Sequence, residues 1–151
     1  MLKKFTYNEI REIMPQQPPF LFIDTAEIEG QTARGTYRIR GDEDFLKGHF
    51  PGNPVCPASI MLEGLGQLAI LLLLGREILL GDLVADPECV FFTSAEAIRC
   101  TRICHPGDTL EYEVKINRLR FPLGIFAGKI RVGGEQAAYA EKISLIFDKK
   151  I

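Results

Sequence analysis

The chain has 151 residues, a single domain's length, and its 46% hydrophobic and 25% charged content is ordinary for a globular protein with a core. A formal net charge of −2 gives no global attraction for nucleic acid. The longest unbroken apolar run, Leu68 to Leu74, is far short of the ~20 residues that span a bilayer, and Glu9, Arg11 and Glu12 interrupt any export signal, so a soluble, cytoplasmic protein without membrane insertion is expected.

In chain order, Tyr7–Ile13 is a short amphipathic helix stopped by Pro15, and Pro15–Pro19 is extended. Phe20–Ile28 reads as a strand, followed by a turn at Glu29-Gly30-Gln31. Thr32–Arg40 reads as a second strand, with Ala33, Gly35, Tyr37 and Ile39 alternating against polar residues. The segment Gly41–Pro57, with three prolines and three glycines, is loop-like. Ala58–Ile78 is the one long helix, apolar around most of its circumference and hence buried. Gly64 and Gly66 inside it each cost up to ~1 kcal/mol of helix propensity, so close packing or room for a ligand must explain them.

The second half is β-rich. A strand region runs from Val90 to Ile98 and on through Cys104, and His105-Pro106-Gly107-Asp108 is a turn. Thr109–Arg118, Gly124–Val132 and Gln136–Phe147 complete the sheet, the last two joined through Gly133-Gly134. The order of elements predicts an α+β fold, one domain over 1–151, with a long central helix wrapped by a curved antiparallel sheet of about six strands. One sheet covers only part of a helix that is apolar all round, which predicts a dimer.

The four cysteines are expected to stay reduced. Cys100, Cys104 and His105 suggest a metal site, but on one strand the two cysteines lie ~13 Å apart, too far for one zinc ion. No metal is expected. His105 is read as an exposed turn residue.

The segment Gly48-His49-Phe50-Pro51-Gly52-Asn53-Pro54-Val55-Cys56-Pro57 delivers one of two histidines just ahead of the helix, and Glu63 lies between Leu62 and Leu65 on that helix. A buried carboxylate needs a function or a partner, and burial raises its pKa. A histidine base beside such an acid is suited to moving protons in an elimination or isomerisation.

This segment, followed by Glu63 and Gln67, resembles the β-hydroxyacyl-acyl carrier protein dehydratases, the FabA/FabZ group, with glutamate on the helix pointing to the FabZ branch. Met14–Asp24 is similar to the family's N-terminal Pro-His-Arg-x-Pro-Phe-Leu-x-x-Asp segment, and Arg99–Asp108 to its later strand ending in Pro-Gly-Asp. The resemblance implies a hotdog fold and a homodimer, or a trimer of dimers, with His49 from one subunit and Glu63 from the other. It implies dehydration of a 3-hydroxyacyl thioester to the trans-2-enoyl thioester, with no cofactor. His49 takes the C2 proton and Glu63 assists departure of the C3 hydroxyl. Gly48 and Ala58 supply backbone N–H groups to the thioester oxygen, Val55 steadies the imidazole through its carbonyl, Phe50 lies in the substrate-binding segment, and Gln67 holds the carboxylate. The implied partner is acyl carrier protein, an acidic protein for which Arg99 and Arg102, then Lys129 or Arg131, are the candidate contacts; coenzyme A thioesters are the other carrier class.

The chain departs from the family pattern at several positions. Ala58 stands where glycine is usual, Gln16-Gln17 replace His-Arg, Cys100 replaces an aromatic, and Gly64 and Gly66 replace alanines. Ala58 motivates a second reading, a non-catalytic acyl-thioester-binding subunit. A hotdog isomerase or thioesterase is a third.

Overall fold

The computed structural model describes residues 2–75 and 85–149. Its elements are β1 (Leu2–Phe5), α1 (Tyr7–Ile13), β2 (Thr25–Glu29), β3 (Thr32–Arg38), α2 (Asp44–Lys47), α3 (Ala58–Gly75), β4 (Ala85–Cys100), β5 (Thr109–Arg120), β6 (Leu123–Val132) and β7 (Glu135–Lys149). The strands form one antiparallel seven-stranded sheet in the order β1-β2-β3-β5-β6-β7-β4. This is the expected α+β architecture of a long helix against a sheet, with one strand more than the six expected. The end of the predicted helix, residues 76–78, lies outside the described residues.

Period-two patterning decides which face of the sheet meets α3. In β3, Ala33, Gly35 and Tyr37 are buried while Arg34 and Arg38 are exposed, and in β5 Leu110, Tyr112, Val114 and Ile116 are buried. The buried residues meet α3, whose middle and end, from Gly64 to Leu73, are wholly buried. With 18 residues and no basic side chain, α3 is long and apolar enough to cross a membrane, yet 67% of it is buried inside the protein. Its apolarity is that of a core helix.

The other sheet face carries a cross-strand row. Lys4 pairs with Glu27, Glu27 with Arg34, Arg34 with Glu113, Glu113 with Lys129, Lys129 with Tyr139 and Tyr139 with Arg99. Opposite charges alternate across the first five strands of this row. Glu113 bridges Arg34 at 3.5 Å and Lys129 at 3.7 Å, so neighbours neutralise one another.

Several boundaries differ from the sequence reading. The strand expected from Phe20 begins only at Thr25, because a helix side chain takes the backbone bonds before it: the Phe22 N–H donates to Gln67 Oε1 at 2.8 Å, and the Phe20 carbonyl accepts from Gln67 Nε2 at 3.1 Å. The strand expected to run through Cys104 ends at Cys100, since the Thr101 and Arg102 amides both turn to the Ala137 carbonyl. It also begins earlier, at Ala85, with a register shift before Val90 that accommodates Pro87 on an edge strand. Finally, β1 and α2 fall where no element was expected. β1 is a short edge strand carrying Lys3 and Lys4, a composition that discourages edge-to-edge association.

Candidate active site

The glycine- and proline-braced loop after α2 is closed by its own backbone. Phe50 and Asn53 exchange N–H···O bonds of 3.0 and 2.9 Å, and the Val55 amide donates to the His49 carbonyl at 2.9 Å. Cys56 is pinned from behind, its amide donating to the Cys104 carbonyl at 2.8 Å. The loop holds the His49 ring half-buried, with Nδ1 2.8 Å from the Val55 carbonyl. A carbonyl only accepts, so Nδ1 carries a ring proton, and in the neutral imidazole the lone pair is on Nε2. Phe50, half-exposed, stacks on the imidazole with ring centroids 4.2 Å apart.

Glu63 lies in the second turn of α3 and is partly buried. Loss of hydration on burial pushes its pKa up, against the opposing hydrogen bond from Gln67. Gln67 is completely buried and uses both ends of its amide. Its Nε2 donates to Glu63 Oε2 at 2.7 Å and to the Phe20 carbonyl, and its Oε1 accepts from Phe22. The (i, i+4) spacing places the two side chains on one helix face. Because Oε2 accepts from Gln67, Oε1 is the oxygen free to carry a proton.

Among the described residues no hydrogen bond or ion pair joins His49 to Glu63 in one chain. Of the candidate amide donors, Ala58 opens α3, where helix geometry leaves the first N–H groups unpaired. The Gly48 amide already donates to the Leu46 carbonyl. Among the candidate carrier contacts, Arg99 is exposed. Arg102 is held by Glu135 at 3.1 Å and by the Val132 carbonyl, and Lys129 is occupied by Glu113. Among the described residues no group of three His, Cys, Asp or Glu side chains is placed to hold a metal ion.

The sequence reading placed Phe20 and Phe22 in a strand and in the family-like N-terminal segment, without a role at the site. The structure makes their backbone the second anchor of Gln67. Their signal in the sequence was the run of prolines that denies Phe20 a regular strand start.

The FabA-like domain family model matches residues 14–141. The chain is 39% identical over 142 residues to the 3-hydroxyacyl-[acyl-carrier-protein] dehydratase FabZ of Thermomicrobium roseum, covering 93% of this chain and 91% of that protein. It is 36% identical over 146 residues to the protein of the same name from Staphylococcus carnosus, covering 95% and 97%. Among solved structures, the dehydratase heterocomplex ApeI:P of Xenorhabdus doucetiae superposes with a TM-score of 0.70 at 15% identity, covering 93% of this chain and 91% of that one. Protein PH1136 of Pyrococcus horikoshii superposes with a TM-score of 0.66 at 16% identity, covering 91% and 92%. At such identity these two structures establish the hotdog fold.

Proposed function

The chain belongs to the FabA-like domain family, and on that premise we propose that it dehydrates 3-hydroxyacyl chains on acyl carrier protein to trans-2-enoyl thioesters in fatty acid biosynthesis. The observation that carries the reading is the held carboxyl: burial favours the protonated form of Glu63, and Gln67 orients it. The anchored ring of His49 complements it with Nε2, the nitrogen that the Val55 bond leaves free.

Nε2 of His49 removes a proton from C2. The C2 electron pair forms the C2=C3 double bond as the C3–O bond breaks, and the proton on Glu63 Oε1 goes to the departing hydroxyl, giving water. Negative charge developing on the thioester oxygen meets the Ala58 amide at the start of α3, where the helix dipole favours it.

The reading includes a homodimer with sites shared between subunits, His49 from one and Glu63 from the other. What supports it is β4. This 16-residue strand pairs only with β7 among the described residues, and it exposes Phe91 at 60% and Ile98 at 44%. A long apolar edge of this kind is normally covered. The four cysteines are free, in keeping with a cytoplasmic location. Arg99 is the better-placed contact for the acidic carrier, since Arg102 is engaged by Glu135.

The test is the growth of enoyl-thioester absorbance on adding 3-hydroxyacyl-carrier substrates. His49→Ala and Glu63→Gln each lower the rate by about a hundredfold or more while leaving the circular dichroism unchanged. Turnover undiminished in either variant overturns the assignment of that residue.

A further inference from the structure

Glu63, Gly66 and Gln67 share one face of α3, and Ile70 and Leu74 continue it. Toward the helix start this side becomes exposed at Ser59; toward its end Ile70 is buried and Leu74 half-buried. An apolar chain attached at a reacting carbon beside Glu63 gains by running toward the buried end.

Phe92 packs on that face at Gly66. It comes from β4, is part-buried, and packs against the core. Its ring lies so close to Gly66 that a Cβ built there would fall 2.6 Å from Cε2. No real Cβ tolerates that distance, so glycine at 66 is what lets the ring close onto the helix backbone one turn beyond the acid.

Building on the dehydratase reading, we propose that Phe92 determines acyl-chain length specificity, and that Gly66 sets the position of its ring. The ring occupies space that the chain beyond the reacting carbons needs, so the pair limits how long a chain enters. Phe92 does no chemistry. Its effect differs between substrates and is absent from the shortest.

The experiment measures kcat/KM with 3-hydroxybutyryl, 3-hydroxyoctanoyl and 3-hydroxyhexadecanoyl groups on acyl carrier protein. The wild type is compared with Phe92→Ala, Phe92→Leu, Gly66→Ala and the Phe92→Ala/Gly66→Ala double variant. Phe92→Ala raises the long-to-short ratio by about tenfold or more, since each newly buried methylene is worth about fourfold, and Phe92→Leu raises it less. Gly66→Ala displaces the ring into the route and lowers the ratio. In the Phe92→Ala background, with no ring to displace, Gly66→Ala leaves the ratio where Phe92→Ala alone puts it.

A merely structural role for Phe92 lowers turnover of all three lengths alike, and that uniform loss overturns the proposal, as does an effect of Gly66→Ala that persists without the ring. A wild type inactive on every length sinks the dehydratase reading and this inference with it. An active wild type whose length profile ignores Phe92 sinks the inference alone. Thermal unfolding of each variant separates loss of fold from loss of selectivity.

Discussion

Glu63 answers why a core helix carries a carboxylate. Burial raises its pKa above the ordinary 4.5, and one hydrogen bond from Gln67 opposes the shift without cancelling it. The unfolded chain therefore releases this proton at lower pH than the folded protein does. Glu63 favours the fold fully below about pH 4.5, and that contribution is lost as pH rises through the higher folded value. Glu63→Gln removes the titration and keeps a group that hydrogen-bonds at the same site. Urea midpoints across a pH series should fall for the wild type over that window relative to the variant, and level off above it. Parallel curves for the two proteins would show that burial does not tune this group. In the proposed reaction the same protonation supports catalysis, because only the acid form has a proton to give the departing hydroxyl.

Within α3, glycine content follows from what the sheet presses against it. Tyr112 of β5 is completely buried, and a Cβ built on Gly64 would lie 2.6 Å from its Cζ. Alanine is intrinsically better than glycine in a helix by up to ~1 kcal/mol, yet Gly64→Ala should destabilise, because overpacking a filled site costs typically 1–3 kcal/mol. Shortening the opposing side chain with Tyr112→Leu should recover that loss in the double variant. It also removes a phenolic oxygen that is buried with no hydrogen-bond partner. Denaturant midpoints of the two single variants and the double variant form the cycle. If Gly64→Ala is as costly in the Tyr112→Leu background as in the wild type, the contact is not the reason for the glycine.

At the scale of the whole molecule, the proposed reaction depends on which chain supplies each half of the acid–base pair. Sites shared across a two-fold axis make a definite prediction. In the proposed dimer, His49→Ala and Glu63→Gln homodimers should both be inactive, but a mixed dimer of the two variants should carry one site with both residues intact. Random co-assembly of the inactive proteins should therefore restore about a quarter of wild-type activity, half the dimers being mixed with half their sites whole. If each site were built within one chain, every protomer would carry a lesion and mixing would restore nothing. The outer sheet face takes little part in this. Its row from Lys4 to Lys129 alternates in sign, three cations against two carboxylates, and Arg99 lies exposed beyond Tyr139 at the β4 end.

Local patterning made much of this architecture legible. Strict alternation placed β3 and β5 and identified their buried faces, and an apolar run without a polar side identified α3 as a core helix. The motif around His49 together with Glu63 and Gln67 pointed to the chemistry, because acid, base and amide are spaced along the chain in a pattern that side-chain type alone carries. Other features were decided only by contacts between residues distant in sequence. Phe20–Phe22 has strand-like composition, but its backbone bonds go to Gln67, 45 residues from Phe22. Gly64 and Gly66 became intelligible once Tyr112 and Phe92 were seen against them. The division has a physical cause. Periodicity and turn chemistry are properties of neighbouring residues, whereas competition for a hydrogen bond or for a few ångströms of space is settled only when the sheet closes on the helix.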